Sequence, residues 1–367
     1  MDNALTVYID FKSPYAYLAV EPTRRLARDL GIEIDWRPFV LDIPSYLGSA
    51  RLGKSGEVAA ASRSKEQWSG VKYAYYDCRR YANLRGMTIR GTVKIWDTNL
   101  AAIGMLWAAD QSDEILQYYI DGIYAPFWNR ELDVESVEVV QQVLQDAGAS
   151  VSGFKDFARE DGAERNRLLQ ESAFEQGIFG VPTYVLGEDI YFGREHLPRI
   201  RWQLEGEPGP APDVAYELMP GDRIERASAR KLDVGICLQD PESYLAIEQI
   251  ISMADEFDVT LNWYALPQKK PDRQPQAGDS SRGVRHRRLR RENRQRDRDR
   301  YLGRKLAEGF SAGLTTSLLE QHGVSLQQVG APVAWGGAGY VSSPVFSLDE
   351  EVFVGRQHLP LLRARLH

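Results

Sequence analysis

Between residues 5 and 11 apolar and polar side chains alternate, which predicts a strand with one face buried. Ser13 then precedes Pro14, the order of an N-cap followed by a first-turn proline. Tyr17, Leu18, Val20 and Leu26 keep an apolar stripe going, so a helix is predicted to about Leu30, closed by Gly31. Residues 32–38 read as a second strand, and the β-α-β order implies a right-handed crossover and a parallel pair. From about residue 65 to 179 the spacing turns helical, most clearly over 100–110, 115–124, 134–147 and 163–177. A short hairpin follows, 183–186 and 190–192 across Gly187-Glu188-Asp189, and then a last helix over 194–204.

The same pattern comes round again. At an offset of 227, Leu5, Val7, Ile9, Pro14, Tyr17, Leu18 and Trp36 meet Leu232, Val234, Ile236, Pro241, Tyr244, Leu245 and Trp263. At an offset of 162, Pro182, Gly193, Arg194, His196, Leu197 and Pro198 meet Pro344, Gly355, Arg356, His358, Leu359 and Pro360. The offsets differ by 65, so the second copy lacks about 65 residues between its two matching ends. This divides the chain into a first copy at 1–204, a Pro/Gly-rich linker at 205–230 and a shortened copy at 231–367.

Composition narrows the class. A chain of 367 residues with 43% hydrophobic side chains has room for two cores, and a net charge of −7 excludes a globally basic nucleic-acid binder. No apolar stretch approaches a membrane span, and no cationic run followed by an apolar stretch stands near Asp2, so a cytoplasmic protein is expected. Two cysteines, Cys78 and Cys237, build neither a disulfide framework nor a cysteine-rich metal site, and no metal is expected.

Several ordered motifs of the first copy carry a family likeness. They are Asp10-Phe11-Lys12-Ser13-Pro14-Tyr15-Ala16-Tyr17-Leu18-Ala19, Trp36-Arg37-Pro38-Phe39, Tyr73 with Asp77, Gly177-Ile178-Phe179-Gly180-Val181-Pro182-Thr183-Tyr184 and Phe192-Gly193-Arg194-Glu195-His196-Leu197. Over about residues 3 to 204 the chain resembles the branch of the DsbA-like thioredoxin superfamily that contains 2-hydroxychromene-2-carboxylate isomerase and kappa-class glutathione transferase. The implied fold is α/β, thioredoxin-like with a helical insertion at about 65–179, tandemly duplicated with the second copy shortened. Redox-active members carry Cys-Pro-x-Cys where this chain has Ser13-Pro14-Tyr15-Ala16, and Asp240-Pro241-Glu242-Ser243 in the second copy. Dithiol exchange needs both sulfurs, so an oxidoreductase is not expected.

The resemblance instead implies glutathione as cofactor and an isomerase acting on an aromatic or conjugated carboxylate. Ser13, at a helix N-terminus whose dipole favours a thiolate, would hold the sulfur. Val181 and Pro182, matching the cis-proline turn, would pair with the cysteinyl backbone, and Glu195 would take the γ-glutamyl ammonium. Tyr15 and Tyr73 would face the substrate. Serine is also an ordinary N-cap, and the tyrosines around Tyr73 equally suit a helix core. A lysine and an asparagine that usually hold the glutathione carboxylate have no clear counterparts; Lys65 and Lys72 are the nearby cations. The alternatives are a kappa-type transferase and a catalytically silent thioredoxin-like binding module.

In the second copy Asp240, Ser342 and Gln357 replace Ser13, Gly180 and Glu195, which keeps the N-cap and removes the thiolate site. That copy is expected to pack on the first as a pseudo-dimer. Residues 282–304 hold eleven arginines against Glu292, Asp297 and Asp299. Without interleaved aromatics this reads as a solvated or interdomain helix face, not a nucleic-acid surface. Residues 267–283 before it read as a loop.

Overall fold

The computed structural model describes residues 4–48, 50–52, 58–61, 63–268, 280–327, 335 and 343–367. Its first copy opens with β1 (Ala4–Ile9), α1 (Pro14–Leu30) and β2 (Glu33–Pro38), with β1 and β2 parallel. The punctuation acts as its chemistry dictates. Ser13 caps α1, its hydroxyl accepting the Ala16 N–H at 3.2 Å, and Gly31 ends it in the left-handed conformation at φ 63°. A short helix α2 (Ile43–Leu47) and a small hairpin, β3 (Ala50–Leu52) with β4 (Val58–Ala61), follow; neither is foreshadowed by periodicity.

The insertion is α3 (Lys65–Leu84), α4 (Asn99–Ala109), α5 (Asp113–Trp128), α6 (Val137–Asp146), α7 (Phe154–Arg159) and α8 (Asp161–Glu175). The chain returns through β5 (Thr183–Leu186) and β6 (Asp189–Phe192), then a 3-10 turn and α9 (Leu197–Leu204). The sheet order is β2-β1-β5-β6. The second copy repeats this with β7 (Lys231–Ile236), α10 (Pro241–Phe257), β8 (Thr260–Ala265), α11 (Ser281–Leu302), α12 (Arg304–Glu308), α13 (Ala312–Gln321), β9 (Val345–Leu348), β10 (Glu351–Val354) and α14 (Leu359–Leu366), in sheet order β8-β7-β9-β10. Among the described residues, three helices thus stand where the first copy has α3 to α8, which accounts for its shortening.

The predicted loop at 267–283 ends early. Ser280 caps α11, accepting the Gly283 N–H, so Ser281 to Gly283 are already helical, while 269–279 lie outside the described residues. Gly283 is required there for space: a Cβ would stand 2.6 Å from the Ser45 carbonyl oxygen of α2.

Beside that crossing the copies share a reciprocal contact. On α3, Arg80 pairs with Asp77 at 2.8 Å, lies 3.9 Å over the Phe353 ring and donates to Glu351 and the Val352 carbonyl of the other copy's hairpin. On α11, Arg300 pairs with Asp297 at 2.8 Å, lies 3.9 Å over Tyr191 and donates to Asp189 and the Ile190 carbonyl of the first copy's hairpin. One residue on, Tyr81 hydrogen-bonds His358 Nδ1 at 2.8 Å and Tyr301 hydrogen-bonds His196 Nδ1 at 2.7 Å. Burial holds both imidazoles neutral, pushing His196 down to about 3 and His358 well below its ordinary value. The arginine-rich helix is therefore an interdomain element along this face. Further along it, Arg285 donates to the Phe174 carbonyl, and His286 stacks on Tyr46 at 3.9 Å.

The segment between the copies has no helix or strand, yet it is held. Asp213 pairs with Arg356, Tyr216 packs on Arg194, and the Ala215 and Tyr216 N–H groups donate to the Glu195 and Gln357 carbonyls. No helix among the described residues is long and apolar enough to cross a membrane.

Two outcomes follow from these contacts. Tyr81→Phe and Tyr301→Phe should each lower stability by about 1–2 kcal/mol, because each leaves a buried imidazole nitrogen without its partner. The check is the urea midpoint at constant m, and a shift in only one of the two variants would contradict the reciprocity. Gly283→Ala should loosen the α2–α11 crossing, seen as faster amide exchange in both helices; unchanged exchange would contradict the close approach.

Candidate functional site

β1 ends against a buried carboxylate. Asp10, 3% exposed, accepts from the Leu41 N–H at 2.8 Å, the Thr98 hydroxyl at 2.6 Å and the Lys12 N–H at 3.2 Å, with the Lys12 ammonium 3.6 Å away. Its carbonyl accepts the Ser13 N–H and the Tyr124 hydroxyl. The turn that presents Ser13 is thereby tied to the loop after β2, to the residue that precedes α4 and to α5.

Ser13 itself is 4% exposed. β1 pairs antiparallel with β5, Tyr8 facing Thr183, so the residues before Thr183 lie at the same sheet end as the Ser13 turn. There the Val181-Pro182 bond is cis, as is Ser343-Pro344 in the second copy. Thr183 braces the turn by donating to the Gly180 carbonyl at 2.7 Å, and the Pro182 carbonyl accepts the Gly193 N–H. The helix start and the proline turn that the sequence suggested thus lie at one end of the sheet, on its two inner strands.

The other expected site residues are distributed differently. The Tyr15 hydroxyl donates to Asp77 at 3.3 Å, and burial beside that carboxylate pushes the phenol well above its ordinary value. Asp77 is also raised by burial, against the pull of Arg80 and Arg194. The Tyr73 hydroxyl accepts the Val354 N–H at 2.7 Å, which commits it to the second copy. Glu195 is pushed up to about 7 by burial and lines a cavity with Asp240 and Arg356, away from the residues around Ser13 that line the cleft described below. Lys72 is exposed on α3. Cys78 and Cys237 are both free and buried.

A cleft of about 580 Å3 begins one residue from Ser13. Lys12 forms part of its wall, Trp96 another, and Arg282 reaches it from α11 of the second copy. Its side-chain amides form a chain: Asn166 donates to Asn99 at 2.9 Å, Gln170 donates to Asn166 at 3.0 Å, and Gln170 accepts the Val40 N–H at 2.7 Å. Such a wall offers fixed donors and acceptors beside an aromatic face, which suits a planar polar ligand. Sequence reasoning missed Asn99, Asn166 and Gln170. Asn166 and Gln170 are buried polar residues of α8, and Asn99 is an exposed residue at the first position of α4. Sequence reasoning also passed over Arg194, whose buried guanidinium lies between Tyr81 at 4.4 Å and Tyr216 at 3.7 Å, with Nε and Nη2 lacking a hydrogen-bond partner.

The 2-hydroxychromene-2-carboxylate isomerase of Pseudomonas sp. (strain C18) is 28% identical over 211 residues, covering 56% of this chain and 90% of that protein. The enzyme of the same name from Sphingobium xenophagum is 25% identical over 201 residues, covering 54% and 95%. A solved structure of a 2-hydroxychromene-2-carboxylate isomerase aligns at a TM-score of 0.43 and 23% identity, over 55% of this chain and 93% of that one. At family level, then, the similarity is to isomerases. Residues 4–205, more than half the chain, match the model of the DSBA-like thioredoxin domain, and the chain belongs to that family.

Proposed function

We propose that the protein is a glutathione-dependent isomerase of the 2-hydroxychromene-2-carboxylate type, acting on an aromatic or conjugated carboxylate. The observation that carries this reading is the placement of a capped Ser-Pro helix start and a cis-proline turn at one end of the sheet, with a cleft of mixed apolar and polar lining starting at the adjacent Lys12. Ser13 would donate to the sulfur of glutathione, and the α1 N-terminus would favour its thiolate. The backbone around Val181 and Pro182 would hold the cysteinyl part. Bound glutathione would supply a thiolate nucleophile for reversible addition to a conjugated carbon of the ring-opened substrate, with the displaced electron pair held on the carbonyl oxygen, so that the former double bond can turn and the cofactor is returned unconsumed. Trp96 and the amides of Asn99, Asn166 and Gln170 would hold the planar substrate. Glu195 and Tyr73 have no part in this reading, because the first lines another cavity and the second is bonded to Val354. Dithiol exchange is not proposed, since neither turn carries sulfur.

The second copy, in this reading, stands in for a partner protomer, which the reciprocal Arg80 and Arg300 contacts support. A second reading, a catalytically silent module, is favoured by the burial of Ser13 and by the Ala16 N–H already on its hydroxyl.

Ser13→Ala separates the two. It should reduce glutathione-dependent turnover of 2-hydroxychromene-2-carboxylate by about 100-fold. As loss of a cap alone it should cost only about 1 kcal/mol of stability. Ser13→Thr, which keeps a hydroxyl, should recover most of the rate. Undiminished turnover in Ser13→Ala rejects the assigned role, and no saturable calorimetric heat with glutathione favours the silent module. Glutathione should stand at its starting concentration after complete conversion; its consumption would indicate a transferase. The full chain should sediment as a single chain, and a concentration-dependent dimer would contradict the stand-in role of the second copy.

A further inference from the structure

The second copy has a cavity of its own, of about 460 Å3, at the head of α10. In the first copy the head of the corresponding helix is closed by Tyr15, whose hydroxyl bonds Asp77. Glu242 stands at the position of Tyr15, and Asp240 at that of Ser13. The acids lie together at the head of the helix. Asp240 accepts the Ser343 hydroxyl at 2.5 Å and the Glu242 N–H at 3.1 Å. From α11 the cavity is lined by Arg294, Asp297 and Arg298, with Arg294 exposed. At the inner end Arg356 is 2% exposed. Its Nε pairs with Asp213 at 2.9 Å and its Nη1 with Glu242, while Nη2 has no hydrogen-bond partner. The first copy also reaches in, through Glu195 and His196.

A carboxylate at the Ser13 position repels a thiolate, so this cavity does not repeat the chemistry proposed for the first copy. The same carboxylate attracts an ammonium. Asp240 and Glu242 on α10 and Arg294 and Arg298 on α11, with Asp297 between the two arginines, give the lining both signs of charge, which selects a ligand that carries both. We propose that this cavity is a second binding site, for a small zwitterion of the amino-acid or short-peptide class, with its ammonium toward Asp240 and Glu242 and its carboxylate toward Arg298. The ligand would touch both copies, because Glu195 and His196 share the lining with Arg356 and Gln357.

The test uses the full chain and triglycine as probe. Calorimetry should show one saturable site. N-acetyl-triglycine, which lacks the ammonium, and triglycinamide, which lacks the carboxylate, should each bind at least about tenfold more weakly. Asp240→Asn keeps the helix cap and should weaken triglycine about tenfold, as should Arg298→Gln. Ser13→Ala should leave triglycine affinity unchanged, which separates this site from the one in the first copy. Absence of saturable heat, equal binding of either blocked peptide, unaltered affinity in both cavity variants, or loss of binding in Ser13→Ala would each overturn the proposal.

Discussion

The carboxylate of Asp10 sits where separate segments of the first copy have to meet. A buried carboxylate is tolerable only when its lone pairs are filled, and here an amide of the loop after β2, the hydroxyl of the residue before α4 and the amide of Lys12 fill them, beside an ammonium. Removing any one would leave charge without compensation in a dry place. The turn before α1 therefore has a fixed position relative to both the sheet and the helices. Ser13, Lys12 and the cleft wall inherit that position, so the chemistry proposed for this end of the sheet depends on one acidic side chain that would not touch the substrate.

The two copies are joined by an exchange of like for like. Each gives a helix bearing Asp, Arg and Tyr at the same spacing, and each receives the other's on its terminal hairpin and on the histidine after it. The arginine does three tasks at once, pairing with its own helix's aspartate, covering an aromatic ring and capping a strand carbonyl. Only a guanidinium has the planar fork and the ring affinity for this, and lysine would not substitute. Most of the arginine excess on α11 thus surrounds a helix that binds within the molecule through Arg285 and Arg300.

Much of the first copy was legible because its boundaries are written in local chemistry. Ser13, Pro14 and Gly31 define α1 without help from anything distant, and Gly187-Glu188-Asp189 marks the hairpin. The cis prolines sit where the repeat places them, at Pro182 and Pro344. What escaped notice depends on partners far along the chain. The Asp77-Arg80-Tyr81 and Asp297-Arg300-Tyr301 match runs at an offset of 220, different from the other two, and becomes visible only when the helices are seen to trade places. Glu195 lies beside the expected motif in sequence but faces a cavity built largely by the other copy, which no local pattern encodes. Asn166 and Gln170 belong to the cleft only through the way α8 lies against the loop after β2.

The strap between the copies carries one more implication. Asp213 reaches Arg356 on one side, and three residues later Tyr216 covers Arg194 on the other, with backbone amides of 215 and 216 anchored to opposite halves. Adding or deleting a single amino acid between them would rotate the acid and the ring away from their cations together. The length of this short passage is therefore as constrained as the phase of a strand in a sheet, although it forms neither strand nor helix.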